Sequence, residues 1–212
     1  MEIHVIDREN RHLYTELLDI NFRRRAEIFV REMRWSALRS IDGRERDQFD
    51  TEGATYFLAV EQGRLAGGIR LHCSLAPTLM SEVFPHLATR GFERAADVYE
   101  GTRLYVVPER RTEHPNKVSG YLHWSVWAHT LARGGRAIQL VTWATYVPLL
   151  MRSGLRPRPL GLPTEHEGMQ LMAVSTAVSE EVLMDLLVYY DIEPVPLVTT
   201  GLAPSGSERT AA

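Results

Sequence analysis

The feature that most constrains this chain is a pair of apolar runs, Tyr56–Val60 and Leu65–His72, joined through Gln62-Gly63. Two such runs around a short Gly-containing turn specify an antiparallel hairpin. The next segment narrows the choice. Tyr99–Val107 is an apolar strand that Pro108 stops, Asn116–Arg133 a helix closed by Gly134-Gly135, and Ile138–Trp143 another strand. A helix crossover permits a parallel neighbour and a tight hairpin does not, so the two units together predict a mixed sheet.

The remaining segments wrap this centre. A strand at Ile3–Ile6 precedes a helix over Leu13–Arg34, where Leu13, Leu17, Ile20, Phe22, Ile28, Phe29 and Met33 recur at helical spacing. Ser36–Thr55 reads as an ordered polar loop, and Leu79–Phe84 as a helical turn between Pro77 and Pro85. Tyr146–Arg152 is a helix ending at Gly154, Leu155–Pro159 a strand edge, Met169–Val178 a strand, and Ser179–Tyr190 a Ser-capped helix. The predicted fold class is α/β, one twisted mixed sheet with helices on both faces. Residues 1–192 form a single domain. From Glu193 onward Pro, Gly, Thr and Ser dominate, so 193–212 is expected to be a disordered tail.

Composition removes several functions. A net charge of −3 argues against a nucleic-acid binder, and no apolar run reaches membrane-spanning length. The polar, acidic start MEIHVIDREN is unlike a signal peptide, so a cytoplasmic protein is expected. With one Cys and no Cys/His cluster, neither a disulfide framework nor a Cys-based zinc site is expected. Lys117 is the sole lysine against 23 arginines. Codon bias explains most of that excess, but an arginine fork also suits carboxylate or phosphate, and position must separate the two cases.

Three clusters carry candidate chemistry. Arg25 and Phe29 share a helix face with Trp35 close behind, a cation-and-aromatic grouping whose plain structural reading is a solvated Arg run over packed rings. Glu45, Asp47 and Asp50 crowd three carboxylates that need cations, with Arg24, Arg25 and Arg70 as candidates. A calcium loop would place its glycine and final glutamate differently, so no metal is expected. Finally, Arg70 lies on the hairpin and Glu100-Gly101-Thr102-Arg103 on the next strand. An offset of three puts Glu100 and Arg103 on opposite strand faces, unless a bulge at Gly101 re-aims them together.

Arg25-x3-Phe29-x5-Trp35, Glu45-x-Asp47-x2-Asp50, Arg70, Phe84 and Glu100-x2-Arg103 together resemble the acyl-homoserine lactone synthases, the LuxI-type quorum-signal enzymes. The likeness is tightest over residues 25–103, with Gly101-Thr102 replacing the usual pair of serines. It implies an α/β/α sandwich akin to the GCN5-type N-acetyltransferases. It also implies acylation of S-adenosylmethionine from an acyl thioester, then lactone closure with release of methylthioadenosine. Both reactants are substrates, and no cofactor is implied. Glu100, Arg103, Asp47 and Arg70 would be catalytic, with Arg25, Phe29, Trp35, Asp47, Asp50 and Arg103 binding S-adenosylmethionine. Asp47 and Asp50 would attract its cations, Phe29 and Trp35 its sulfonium and adenine, and Arg25 or Arg103 its carboxylate. Glu100 would need a raised pKa to act as base, or else would mainly orient the amine.

An acyl pocket between the Tyr99–Val107 and Ile138–Trp143 strands would be lined by Phe84, Leu122, Val126, Leu140, Thr142, Trp143, Tyr146 and Leu150. Arg110, Arg111 and Lys117, before the next helix, suit the phosphates of a pantetheine carrier. Asn10-Arg11-His12-Leu13-Tyr14 and Gly43-Arg44-Glu45 are similar to a rhizobial-type subgroup. That likeness favours coenzyme A thioesters of short branched or aryl acids over acyl-carrier protein, which stays a possible partner. Oligomeric state is left open. The competing readings are a GCN5-like N-acetyltransferase acting on another amine and a non-catalytic binder of adenosine-type ligands.

Overall fold

The computed structural model describes residues 1–112 and 114–201. In chain order the strands are β1 Glu2–Ile6, β2 Ser40–Ile41, β3 Arg44–Glu45, β4 Thr55–Glu61, β5 Arg64–Cys73, β6 Val98–Val106, β7 Ala137–Trp143, β8 Arg158–Pro159, β9 Thr164–His166, β10 Met169–Ala177 and β11 Leu197–Val198. The α-helices are α1 Thr15–Arg25, α2 Leu79–Glu82, α3 Lys117–Ala132, α4 Val147–Arg152 and α5 Glu180–Tyr190. The main sheet runs β11-β1-β4-β5-β6-β7-β10-β8, with β9 paired to β10, and β2-β3 forms a separate ribbon. None of the described helices is long and apolar enough to cross a membrane.

The hairpin forms as expected. Gln62 and Gly63 both take positive φ, the conformation a two-residue turn needs to match strand twist. β6 and β7 are parallel, joined by α3, so the sheet is mixed. Their pairing covers only Val98–Gly101 against Ala137–Leu140. Beyond Gly101, β6 stays with β5 and β7 stays with β10, so the two strands part as a wedge.

Strand alternation sorts the core. Ile69, Leu71 and Ile138 face α3 and α5, against Leu122, Val126, Trp127, Leu186 and Tyr190. A side chain at Gly120 would put its Cβ 2.4 Å from Tyr190 Cγ, so glycine there sets the approach of α3 to α5. The opposite face packs Tyr56, Leu58 and Tyr105 against Phe22, Ile28 and Phe29. Met80, Leu87, Leu160 and Ala173 close its far end.

Several sequence expectations need correction. The helix expected over Leu13–Arg34 is a 3-10 turn at Arg11–Tyr14, then α1, then a π-helical stretch at Ala26–Glu32, where Met33 N–H reaches Ile28 carbonyl. The wider turn inserts one residue into the helical period, and Ala26, Ile28 and Phe29 are buried along it. The loop at Ser36–Thr55 contains the β2-β3 ribbon, turned at Asp42-Gly43. The edge expected at Leu155–Pro159 pairs only at Arg158–Pro159. The chain is also ordered past residue 192, because Leu197 and Val198 pair in parallel with Ile3 and His4. Thr199 carbonyl accepts from the Asn10 amide, and Gly201 N–H donates to the Tyr14 hydroxyl. The rest of the expected tail, 202–212, lies outside the described residues.

Candidate active site

Tyr56, Arg70 and Thr102 are direct cross-strand neighbours on β4, β5 and β6, so their side chains form one row on the α1 face. Arg70 Nε donates to Thr102 Oγ1 at 3.0 Å, and the Tyr56 hydroxyl donates to Asp50 Oδ1 at 2.8 Å. The Asp47–Asp50 turn covers this row. Asp47 N–H donates to Asp50 Oδ2 and Phe49 N–H to Asp47 Oδ1, which fixes both carboxylates locally. β3 ends in Glu45, which is turned inward and 1% exposed.

Three arginines meet these three carboxylates. Arg25, at the end of α1, binds Asp50 through both terminal nitrogens at 2.7 and 2.9 Å and Glu45 through Nε at 2.6 Å. Arg70 holds Asp47 bidentately at 2.6 and 3.1 Å and lies 2.8 Å from Asp50 Oδ1. Arg103 Nη2 reaches Asp47 at 2.6 Å and Glu45 at 3.2 Å. The network is neutral and buried, with Asp47 its most exposed member. Burial pushes the Asp50 and Asp47 carboxyls up, but the charges and hydrogen bonds of Arg25, Arg70 and Arg103 outweigh it and hold both below the usual range. Burial lowers Arg103, against the pull of Glu45 and Asp47.

A strand irregularity re-aims Arg103, although not at Gly101. Gly68 pairs with Tyr105 and Arg70 with Thr102, so the extra residue lies at Arg103-Leu104. Arg103 has φ +57°, which costs an L-residue on the order of 1 kcal/mol. The gain is placement beside Arg70, on the face that also carries Glu100. Gly101 serves the fold in another way. A Cβ there would stand 2.9 Å from Leu140 Cδ2, at the apex of the wedge.

Glu100 stands apart from the arginines. Both carboxyl oxygens accept from Met80 N–H, at 3.1 and 3.2 Å. Burial pushes its pKa up to about 7, with Thr78, Met80, Arg70 and Leu79 pulling it down only in part.

Aromatic rings link this network to the wedge. Arg103 lies over Phe29 at 5.7 Å, Phe29 stacks on Trp35 at 4.9 Å between centroids, and Trp35 meets Trp143 edge-on at 6.2 Å. Trp143 stands on the part of β7 that has left β6. The Trp35 indole N–H is buried and, among the described residues, has no acceptor.

Other expected site residues are placed differently. Asp50 is enclosed by Arg25, Arg70 and Tyr56, so its carboxylate is taken up by the arginines and the tyrosine where a ligand's cations were expected. Phe29 carries Arg103 where a sulfonium was expected. Arg24 pairs with Glu27 outside the network. The acyl-pocket residues do not share one wall. Leu122, Val126, Leu140, Tyr146 and Leu150 belong to the α3 face, and Phe84 and Trp143 to the opposite one, because alternate residues of β7 point opposite ways. Thr142 follows Leu140 in that alternation. Arg110, Arg111 and Lys117 already pair with Glu61, Glu32 and Asp191. Glu45, Thr102 and Tyr56 went unassigned. Only Glu45, within the acidic run, had a sequence signal.

Comparison with known proteins adds an independent line. The autoinducer synthase family model matches residues 9–186. The isovaleryl-homoserine lactone synthase of Bradyrhizobium diazoefficiens is 38% identical over 182 residues, covering 85% of this chain and 82% of that protein. The solved structure of BjaI, a coenzyme A-dependent acyl-homoserine lactone synthase with S-adenosylmethionine and isopentyl-CoA, aligns with a TM-score of 0.87 at 35% identity. That alignment covers 96% of this chain and 95% of the other. An acyl-CoA N-acyltransferase from Pseudomonas aeruginosa shares the fold, with a TM-score of 0.59 at 14% identity over 83% of this chain and 99% of that one.

Proposed function

This chain belongs to the autoinducer synthase family and makes acyl-homoserine lactones from S-adenosylmethionine and an acyl donor; we propose that the donor is a short branched acyl-coenzyme A. The observation that carries the reading is the aromatic wall Phe29–Trp35–Trp143, which joins the charged network to the β6–β7 wedge. A sulfonium nucleoside can stack against Trp35, and its methionine part then reaches the Asp47–Arg103 edge. Asp47, the outermost carboxylate, faces the substrate's cations, and Arg103 turns to its carboxylate. Arg25, Arg70 and Asp50 keep that edge rigid.

The thioester enters the wedge, where β6 beyond Gly101 and β7 beyond Leu140 leave backbone edges that do not pair with each other. Backbone N–H groups beside the Arg103 bulge are the available donors for the carbonyl oxygen as it becomes an oxyanion. The amine attacks the thioester carbon, the C–N bond forms, and coenzyme A leaves as thiolate. Glu100 takes the amine proton. Against an α-amine near pKa ~8, an ordinary glutamate accepts that proton uphill by about 5 kcal/mol. At about 7 the Glu100 carboxyl reduces the deficit to ~1.4 kcal/mol. Its environment therefore favours a base over a mere anchor. The methionine carboxylate then attacks its own γ-carbon, breaking the C–S bond and releasing methylthioadenosine.

The pairs of Arg110, Arg111 and Lys117 are at the surface, where water screens them, so coenzyme A phosphates can displace Glu61, Glu32 and Asp191 there. Trp143 and Phe84 narrow the far side of the wedge and favour short acyl groups. The test supplies the purified protein with S-adenosylmethionine and a panel of donors. Straight, branched and aryl acyl-CoA are compared with acyl-carrier protein, and methylthioadenosine and lactone are assayed together. Equal yields of both products, fastest with a branched four- or five-carbon acyl-CoA, are expected. Faster turnover from acyl-carrier protein would overturn the donor, and acylation without lactone would favour the N-acetyltransferase reading.

A further inference from the structure

His72 is a buried residue that the mechanism above leaves unused. It is 5% exposed and directly opposite Glu100 in the β5–β6 register, so both side chains stand on the same face. The Phe49 backbone supplies a hydrogen bond to its ring, and among the described residues Nε2 has no partner. The bonded nitrogen is therefore Nδ1, which donates to the Phe49 carbonyl. Nε2 is left as a buried lone pair without a donor.

Glu100 presents the complementary deficit. As a carboxylate it accepts from Met80 N–H, assisted by Thr78 and the Leu79 N–H. Once it takes the amine proton it also carries an O–H, which needs an acceptor: the Met80 and Leu79 N–H groups can only donate, and the Thr78 hydroxyl already accepts from Ser81 N–H. Its neighbours on the same face are already engaged. Gln139, opposite it on β7, has both amide groups on the Glu93 backbone. Ser74, just past the end of β5, is bonded to Ala95 through both its donor and its acceptor. Among the described residues, His72 Nε2 is the buried acceptor on this face with no partner.

We propose that His72 is a positioning residue for Glu100, whose neutral Nε2 accepts the hydrogen bond of the Glu100 carboxyl when it is protonated. The proton passes from the substrate amine to a Glu100 oxygen, the new O–H turns to Nε2, and the imidazole stays neutral. Burial, with the charge of Arg70, holds the ring down to about 4, so it is an acceptor at neutral pH. The charged groups facing the pair are Arg70 on β5 and Asp47 and Asp50 on the covering turn. The inference rests on Glu100 being the proton acceptor.

Two substitutions separate the two ring nitrogens. His72→Asn keeps a donor near the Nδ1 position and removes the Nε2 acceptor, whereas His72→Gln keeps an acceptor near Nε2. Both are compared with wild type in the pH dependence of kcat/KM for S-adenosylmethionine with a saturating acyl-CoA donor. Without the acceptor the protonated carboxyl is disfavoured. The acidic limb in His72→Asn should therefore move down by about one pH unit, and kcat should fall ~10-fold or more with KM little changed. His72→Gln should restore most of both. Equal profiles for Asn and Gln, or an unshifted limb in Asn, would overturn the proposal. If His72→Asn does not fold, the carboxyl C=O stretch assigned through Glu100→Gln decides. It should show a hydrogen-bonded acid in wild type and His72→Gln, and a free acid would overturn the proposal. Full activity in Glu100→Gln would instead overturn the assignment of Glu100 itself.

Discussion

Arg25 bonds Asp50 at 2.7 and 2.9 Å inside the protein, and Arg156 bonds Glu181 at 2.8 and 2.8 Å on its surface. The bond lengths match, and the physics does not. Water already solvates Arg156 and screens its partners, so little is gained by pairing there. Arg25 and Asp50 have lost their water, so each needs the other to be tolerated at all. The buried set is an inefficient way to hold a fold, since apolar residues of similar size often do as well. What it supplies is rigid charge geometry beside the aromatic wall, already formed when the substrate arrives. Glu100 is a third case, a buried carboxyl with amide donors and no arginine of its own.

The comparison breaks most visibly at Arg25. Arg25→Ala leaves Asp50 and Glu45 short of a buried cation, and is expected to cost about 3–5 kcal/mol in chemical denaturation. A loss within experimental error would mean that the network is as dispensable as a surface pair.

Glu100→Gln tests the third case. It removes an unpaired acid without stranding a cation, so the denaturation midpoint at pH 7 should hold while kcat falls about 100-fold or more. Loss of both together would return Glu100 to the structural set.

Acid titration sharpens the contrast further. His72, His123 and His129 are each held down to about 4 by burial, against 6.5 when unfolded. The unfolded chain therefore binds more protons between those values, and stability should fall as pH drops from about 6.5 toward 4. Glu100 acts in the opposite sense between 4.5 and about 7, because there the folded state keeps its proton, but three imidazoles outweigh one carboxyl. The depressed Asp47 and Asp50 add their loss only as pH falls below the usual carboxylate range. Denaturation curves at pH 7, 6 and 5 with unchanged midpoints would contradict this ordering.

The smallest effect belongs to the surface. Arg156→Ala should leave both the denaturation midpoint and lactone synthesis indistinguishable from wild type, at low and at high salt. A measurable change in either would place that pair with the buried network.

Much of this was legible in the residues themselves. The hairpin, the βαβ unit and the mixed sheet follow from period, turn chemistry and punctuation, which are local properties. So does the prospect that Arg25 and Arg70 answer the acidic run, because three clustered carboxylates demand cations wherever the chain places them; Arg24, also expected there, pairs with Glu27, and Arg103 takes its place. The π-helical turn and the bulge at Arg103-Leu104 were not legible, since each breaks the very period used to read its element.

A sequence pattern states which face a residue takes, and stops there. It could not say which arginine takes which carboxylate, that Asp50 lies sealed behind Arg25, Arg70 and Tyr56, or that the acyl-pocket residues divide between the faces of β7. Nor could it show Glu100 without an arginine, opposite a histidine with a free lone pair. Those facts depend on which strands become neighbours and on what burial removes from water. In this protein the sequence determined the cast of charges and the sheet that carries them, and tertiary contact decided which charges neutralise each other and which stay available to a substrate.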